Sequence, residues 1–332
     1  MRKAAFFTKS VDRIDYVYAK GRKERLQGLM DLYPEVITDK NFAQHAAALK
    51  GLEVIFSTWG MFAPSDEQFA QMPALKALFY GAGSVTAFAA PFLRRGMVVV
   101  SAWAANAIPV AEFALSQILL SCKGYFRDAR ACKAATGDRL ARPRRSSGVF
   151  GETVGVIGAG QVGRRLMELL KGFNLRVVVY DPYLSDEDAA RLGARKVSLD
   201  ELFSTSYVVS NHLPNIPATR KMLGGALFER MRDDASFINT GRGAQVEGKA
   251  LIAELKKRPD LTALLDVYDT FSPEDMGELR ALPNAQLSSH IAGSINDEVV
   301  RMADYMIEEF QAWDSGRPLR YAVTLDMLKT LG

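Results

Sequence analysis

Histidine and cysteine are nearly missing from this chain. His45, His212 and His290, with Cys122 and Cys132, are the whole supply in 332 residues. So small a set excludes a disulfide framework, and no spacing among these residues matches a metal site. The lack of a disulfide framework fits a reducing cytoplasm, the expected compartment. An excess of one charge sign is also lacking. The 42 Lys and Arg stand against 38 Asp and Glu, a formal net charge of +4. Composition therefore gives no reason to expect a nucleic acid or a membrane as partner. The local basic cluster Arg142, Arg144 and Arg145 reads as a solvated loop. The apolar run near the N-terminus is too short for a signal peptide. The most apolar stretch, 98–122, contains Asn106, Pro109 and Glu112 and reads as a strand plus a buried helix. Repeats and low-complexity tracts are absent too, while hydrophobic residues make up 48% of the chain. That leaves a soluble globular protein of about two domains.

What is present alternates. Short apolar runs at 3–8, 52–57, 76–80 and 97–100 predict strands, with helical segments at 21–32 and 41–49 between them. This is the pattern of an α/β layer on a parallel sheet. A long helix is expected from Ile108 to about Arg130, with Pro109 at its start and Phe113, Leu115, Ile118, Leu119 and Tyr125 on its apolar face. An Arg-, Pro-, Ser- and Gly-rich linker at 136–151 follows. A second series of strands is expected at 153–158, 175–180, 207–211, 235–240, 262–267 and 285–289, and a last helix at 298–313.

The second series opens on Gly158-Ala-Gly160-Gln161-Val162-Gly163, directly after an apolar strand and at the head of a helix. Alone, G-x-G-x-x-G is a weak pattern; in this context it marks a dinucleotide site. Gly158 permits a tight turn, Gly160 lets the backbone approach a pyrophosphate, and Gly163 allows close helix–strand packing. The helix N-terminus offers unpaired N–H groups to the phosphates. Asp181, ending the next strand, is placed to hydrogen-bond a ribose. Its carboxylate would repel the 2′-phosphate of NADP, which favours NAD. A structural glycine turn followed by an Asp in a loop is the plainer alternative.

Further blocks follow in order: Ser210-Asn-His-Leu-Pro214, Asn239-Thr-Gly-Arg-Gly243, Ala263-Leu-Leu-Asp-Val267 and Leu287-Ser-Ser-His-Ile-Ala-Gly293. With the glycine motif they resemble the D-isomer specific 2-hydroxyacid dehydrogenase family. The resemblance implies a Rossmann, doubly wound parallel-sheet cofactor domain at 106–293. It would be inserted into a smaller flavodoxin-like α/β substrate domain built from 1–105 and 294–332. It implies an NAD-dependent oxidoreductase that interconverts a 2-hydroxy acid and a 2-keto acid, and a homodimer. Arg242 would bind the substrate carboxylate through its planar fork, and His290 would exchange a proton with the C2 hydroxyl. The amides of Ala82 and Gly83 would hold the carboxylate, and Asn106 would face the substrate. Gln161, Val162, Leu213, Thr240, Gly241, Asp266 and Gly293 match cofactor-contacting positions. His212 reads as a loop residue near the adenosine side. Trp59, Met61 and Phe62 read equally as core or as pocket lining.

One position departs from the family. A Glu that normally accompanies the catalytic His is replaced by Phe271. An apolar ring in place of a carboxylate removes the charge that favours imidazolium and buries what it touches. The expectation is a neutral His290 suited to act as a base, unless Asp269 or Glu274 substitutes for the Glu. The loss also keeps an alternative open, a non-catalytic NAD(H)-binding or redox-sensing protein on the same scaffold.

Overall fold

Short strands that are apolar on both faces must be covered on both sides, and this chain covers two such sheets. A computed structural model describes residues 1–134, 148–268 and 270–329. Most of the expected linker, the cluster Arg142, Arg144 and Arg145, and Asp269 lie outside the described residues. The chain divides into two units, 1–107 with 294–332, and 108–293.

The first unit holds β1 (Lys3–Phe7), β2 (Asp31–Leu32), β3 (Val54–Ser57), β4 (Ala77–Tyr80) and β5 (Val98–Ser101). They pair in parallel in the order β2-β1-β3-β4-β5, a flavodoxin-like arrangement. Its core is aromatic. Phe56 and Phe79 stack at 5.3 Å, and Phe310 from the helix Val300–Asp314 meets both edge-on at 5.8 Å. The C-terminal segment thereby completes the N-terminal sheet.

The second unit holds β6 (Phe150–Ile157), β7 (Asn174–Tyr180), β8 (Ala194–Lys196), β9 (Val208–Asn211), β10 (Ser236–Asn239), β11 (Thr262–Leu265) and β12 (Ala285–Leu287). Their order is β12-β11-β10-β9-β6-β7-β8, and every pair is parallel. The winding reverses between β6 and β9. Ligands of such sheets bind beyond the strand carboxyl ends at that reversal.

Two expectations need correction. The long helix is two helices, Trp103–Cys122 and Tyr125–Ala134. Gly124, at φ +70°, turns the chain between them. Pro109 sits inside the first helix, which starts earlier than the proline suggested. The buried stripe is Ala111, Ala114, Ile118 and Cys122, while Tyr125 is 53% exposed. The stripe needs small residues because it packs against β6 and its neighbours. This helix is long and apolar enough to cross a membrane, with half of its most apolar window buried in the fold. The sequence reading also missed β2 and β8, edge strands of two and three residues, too short to show a period. Among the described residues neither cysteine is in a disulfide. Burial, then the charge of Glu152, pushes the Cys122 thiol up to about 12.

Candidate active site

The glycine loop leaves the carboxyl end of β6 and runs into the helix Gln161–Leu170. Its three glycines are glycines for different reasons. Gly158 has φ +91°, and a Cβ there would stand 2.9 Å from the His212 carbonyl oxygen. A Cβ on Gly163 would overlap the Gly158 carbonyl, so the helix can dock only if this side chain is missing. A Cβ on Gly160 would meet nothing within 4 Å. No protein atom requires glycine at 160, so the open space over the uncapped helix N-terminus suits a phosphate. Asp181 binds this loop directly. Its Oδ2 accepts from Ala159 N at 2.7 Å and its Oδ1 from Tyr183 N at 2.8 Å. Gln161 is exposed and Val162 half-buried in the helix's first turn.

His212, beyond β9, is not a simple loop residue. It is half-buried by area, and both ring nitrogens are taken up by hydroxyls. Nε2 pairs with Ser210 Oγ at 2.9 Å and Nδ1 with Thr240 Oγ1 at 3.0 Å. Desolvation pushes its pKa down to about 3. His212 is therefore a neutral strut between β9 and β10, and Thr240 supplies one end of it.

The segment after β10 carries Gly241 and Arg242. Arg242 Nη1 donates to the Gly241 carbonyl at 2.7 Å. The loop is held by side chains that the sequence reading missed: Asn211, Asn239 and Gln245, each at most 1% exposed. Asn211 Nδ2 donates to Asn239 Oδ1 at 2.9 Å and to Gln245 Oε1 at 2.6 Å. Asn239 Oδ1 accepts from Gly241 N, and Gln245 Oε1 accepts from Arg242 N, both at 3.1 Å. Leu213 N donates to Asn211 Oδ1 at 3.2 Å. The available signal was an asparagine closing each of two apolar strands, Val-Val-Ser-Asn211 and Ser-Phe-Ile-Asn239.

His290 follows β12 and is exposed, with φ +61°, a left-handed conformation that is strained for a side chain with a Cβ. Asp266, at the end of β11 and 2% exposed, holds it there. Its Oδ1 accepts from Ser288 Oγ at 2.6 Å and Ile291 N at 2.9 Å, and its Oδ2 from Ala292 N at 2.9 Å. The Asp266 carbonyl accepts from His290 N at 3.1 Å. Asp266 thus anchors the loop that ends at Gly293. The expectation that Phe271 buries His290 is not met. The Phe271 ring packs on Gly248, 3.1 Å from where a Cβ would stand, as part of a hydrophobic cluster. Glu274 is exposed in the first turn of the helix Pro273–Ala281. Among the described residues no side chain hydrogen-bonds the His290 imidazole.

In the first unit, the Ala82 amide donates to Tyr80 O at 2.9 Å, so it is not available to a carboxylate as expected. Among the described residues the Gly83 amide has no acceptor. Asn106 Oδ1 accepts from Ser294 N at 3.0 Å, and its Nδ2 faces Gly83, 3.7 Å from an ideal Cβ. Met61 and Phe62 are core, with Phe62 stacked on Phe7 at 5.7 Å. Trp59 is half-buried and packs against the same core.

A profile of the D-isomer specific 2-hydroxyacid dehydrogenase NAD-binding domain matches residues 115–292. The chain belongs to this family. Its cofactor is NAD, and the glycine loop described above fits that group. D-3-phosphoglycerate dehydrogenase of Archaeoglobus fulgidus is 31% identical over 71% of this chain and 44% of its own length. The chain spans less than half of that relative. Among solved structures, a D-2-hydroxyisocaproate dehydrogenase matches 97% of this chain and 99% of its own, with 24% identity and TM-score 0.76. A Lactobacillus jensenii D-lactate dehydrogenase with NAD+ gives 21% identity over 97% and 99% of the two chains, TM-score 0.75. At these identities the likeness shows the fold, which this 2-hydroxyacid dehydrogenase family member shares along nearly its whole length.

Proposed function

We propose that the chain is an oxidoreductase that interconverts a 2-hydroxy acid and a 2-keto acid with NAD. One observation carries this reading. The neighbouring parallel strands β10, β11 and β12 deliver Arg242, Asp266 and His290 to the same sheet edge as the glycine loop. In the oxidative direction Arg242 pairs with the carboxylate through two parallel hydrogen bonds and polarises the C2 oxygen. The His290 imidazole accepts the hydroxyl proton. Bound NAD supplies the hydride acceptor in one direction and, reduced, the donor in the other. Asp181 favours NAD over NADP. Asp266 is left with a lone pair on Oδ2 for a cofactor contact beside its loop-anchoring role, and Leu213, Thr240, Gly241 and Gly293 form the rest of that surface.

The names of relatives set the substrate panel: D-3-phosphoglycerate, D-lactate and D-2-hydroxyisocaproate with NAD+, and glyoxylate with NADH. Turnover of at least one, lost in Arg242→Gln and in His290→Gln, is expected. NADH binding without any turnover would favour the redox-sensing alternative. We also propose a cytoplasmic homodimer that uses the uncovered side of the helix Trp103–Cys122, where Leu120 is 39% exposed. A monomer in sedimentation would overturn the dimer.

A further inference from the structure

The Gln245 side chain is 0% exposed and uses every hydrogen-bonding site it has. Oε1 accepts from Asn211 Nδ2 at 2.6 Å and from Arg242 N at 3.1 Å. Nε2 donates to Leu213 O at 2.6 Å and to Pro214 O at 2.9 Å. A carboxamide has two donors and two acceptor lone pairs, so nothing is left over. The partners fall in two segments with different duties. One presents Arg242. The other follows His212, whose carbonyl presses on Gly158 of the dinucleotide loop; Leu213 N lies 3.2 Å from where a Gly158 Cβ would stand.

We propose that Gln245 is a positioning residue that locks these two segments together. A single side chain then sets both the placement of Arg242 and the wall of the dinucleotide crevice. The acid-binding half of this inference rests on the function proposed above; the dinucleotide half does not.

The glycine before the arginine supports it. Gly241 does not have a left-handed φ, so its backbone does not call for glycine. A Cβ at 241, however, would stand 2.5 Å from Gln245 Oε1 and 2.9 Å from Asn211 Nδ2. The motif's first glycine is thus demanded by the amide hub. The hub also explains why an amide is needed where an acid would have the same shape. An ionised Glu would set a carboxylate oxygen, an acceptor with no proton, against the Leu213 and Pro214 carbonyls. A protonated Glu would keep one donor and the acceptor that Arg242 N uses.

The test uses the full chain as wild type, Gln245→Glu and Gln245→Met. NADH affinity is followed by fluorescence, with KM and kcat for the active acid and a melting curve alongside, from about pH 5.5 to 8.5. Burial raises the pKa of the new Glu into this range. Gln245→Glu should match wild type within about twofold at the acid end and lose about tenfold in both NADH affinity and acid KM at the alkaline end. Gln245→Met should lose about tenfold in both at every pH, with kcat changing less. A role in stability alone would lower the melting temperature and leave NADH affinity and KM within about twofold of wild type; that result overturns the inference. If Gln245→Met does not fold, the pH profile of Gln245→Glu decides. If wild type turns over no acid, the proposed function fails, and the NADH profile of Gln245→Glu still decides: divergence from wild type with rising pH supports the inference, and parallel profiles overturn it.

Discussion

Gly158, Gly160 and Gly163 look alike in the sequence and differ in the structure. Gly163 is fixed by the carbonyl it would strike, and Gly160 by nothing in the protein. Gly163→Ala should therefore cost roughly 1–3 kcal/mol, the usual penalty for forcing atoms into a packed contact. Gly160→Ala should cost less than about 0.5 kcal/mol but weaken NADH binding about tenfold. Urea unfolding and fluorescence titration of the two variants separate the roles. The reading of the motif was legible because spacing, strand and helix all fall in one short stretch. The amide hub was not. Asn239 and Gln245 are close in sequence, but Asn211 is 28 residues before Asn239, and only pairing of β9 with β10 brings it to them. Likewise, the Ala82 amide could not be known to be used by Tyr80, because a turn's internal hydrogen bond leaves no trace in residue type.

The loops after β11 and β12 work as one element. The Asp266 carboxylate gathers Ser288, Ile291 and Ala292 around itself, and His290 is carried into a left-handed conformation that it would otherwise avoid. Relieving that strain should be measurable. His290→Gly should raise stability by up to about 1 kcal/mol, because the exposed imidazole gives up no packing, while kcat falls roughly 100-fold or more. A melting curve and a rate suffice; a less stable glycine variant would contradict the account. Asp266→Ala should go the other way on stability, losing about 2 kcal/mol as three donors lose their acceptor. The sequence showed that both residues stood in motifs. It could not show that one braces the other, nor that the Phe271 ring turns toward Gly248 and away from the histidine, because side-chain direction after a turn depends on the packed neighbours.

At the scale of the whole molecule, stability should depend on pH through His212. The folded imidazole takes a proton only near pH 3, whereas the unfolded one does so near 6.5. Between these values the unfolded chain binds more protons, so stability falls as pH falls below 6.5 and stops falling from this cause below about 3. His212→Gln, which keeps an amide between Ser210 and Thr240, should flatten that limb in urea unfolding at stepped pH. The expectation of one unit inserted in another came from the family resemblance, and the late glycine motif, after a first lobe with no phosphate loop of its own, suited it. Edge strands and the helix break at Gly124 escaped, since two or three residues carry no period. That division also sets an order of assembly during synthesis. The ribosome releases residues 1–107 first, yet Phe56 and Phe79 wait for Phe310, made some two hundred residues later. The unit begun second has all its strands by residue 287 and can close first. A chain cut short before Phe310 should therefore leave the rings of Phe56 and Phe79 without the partner that covers them.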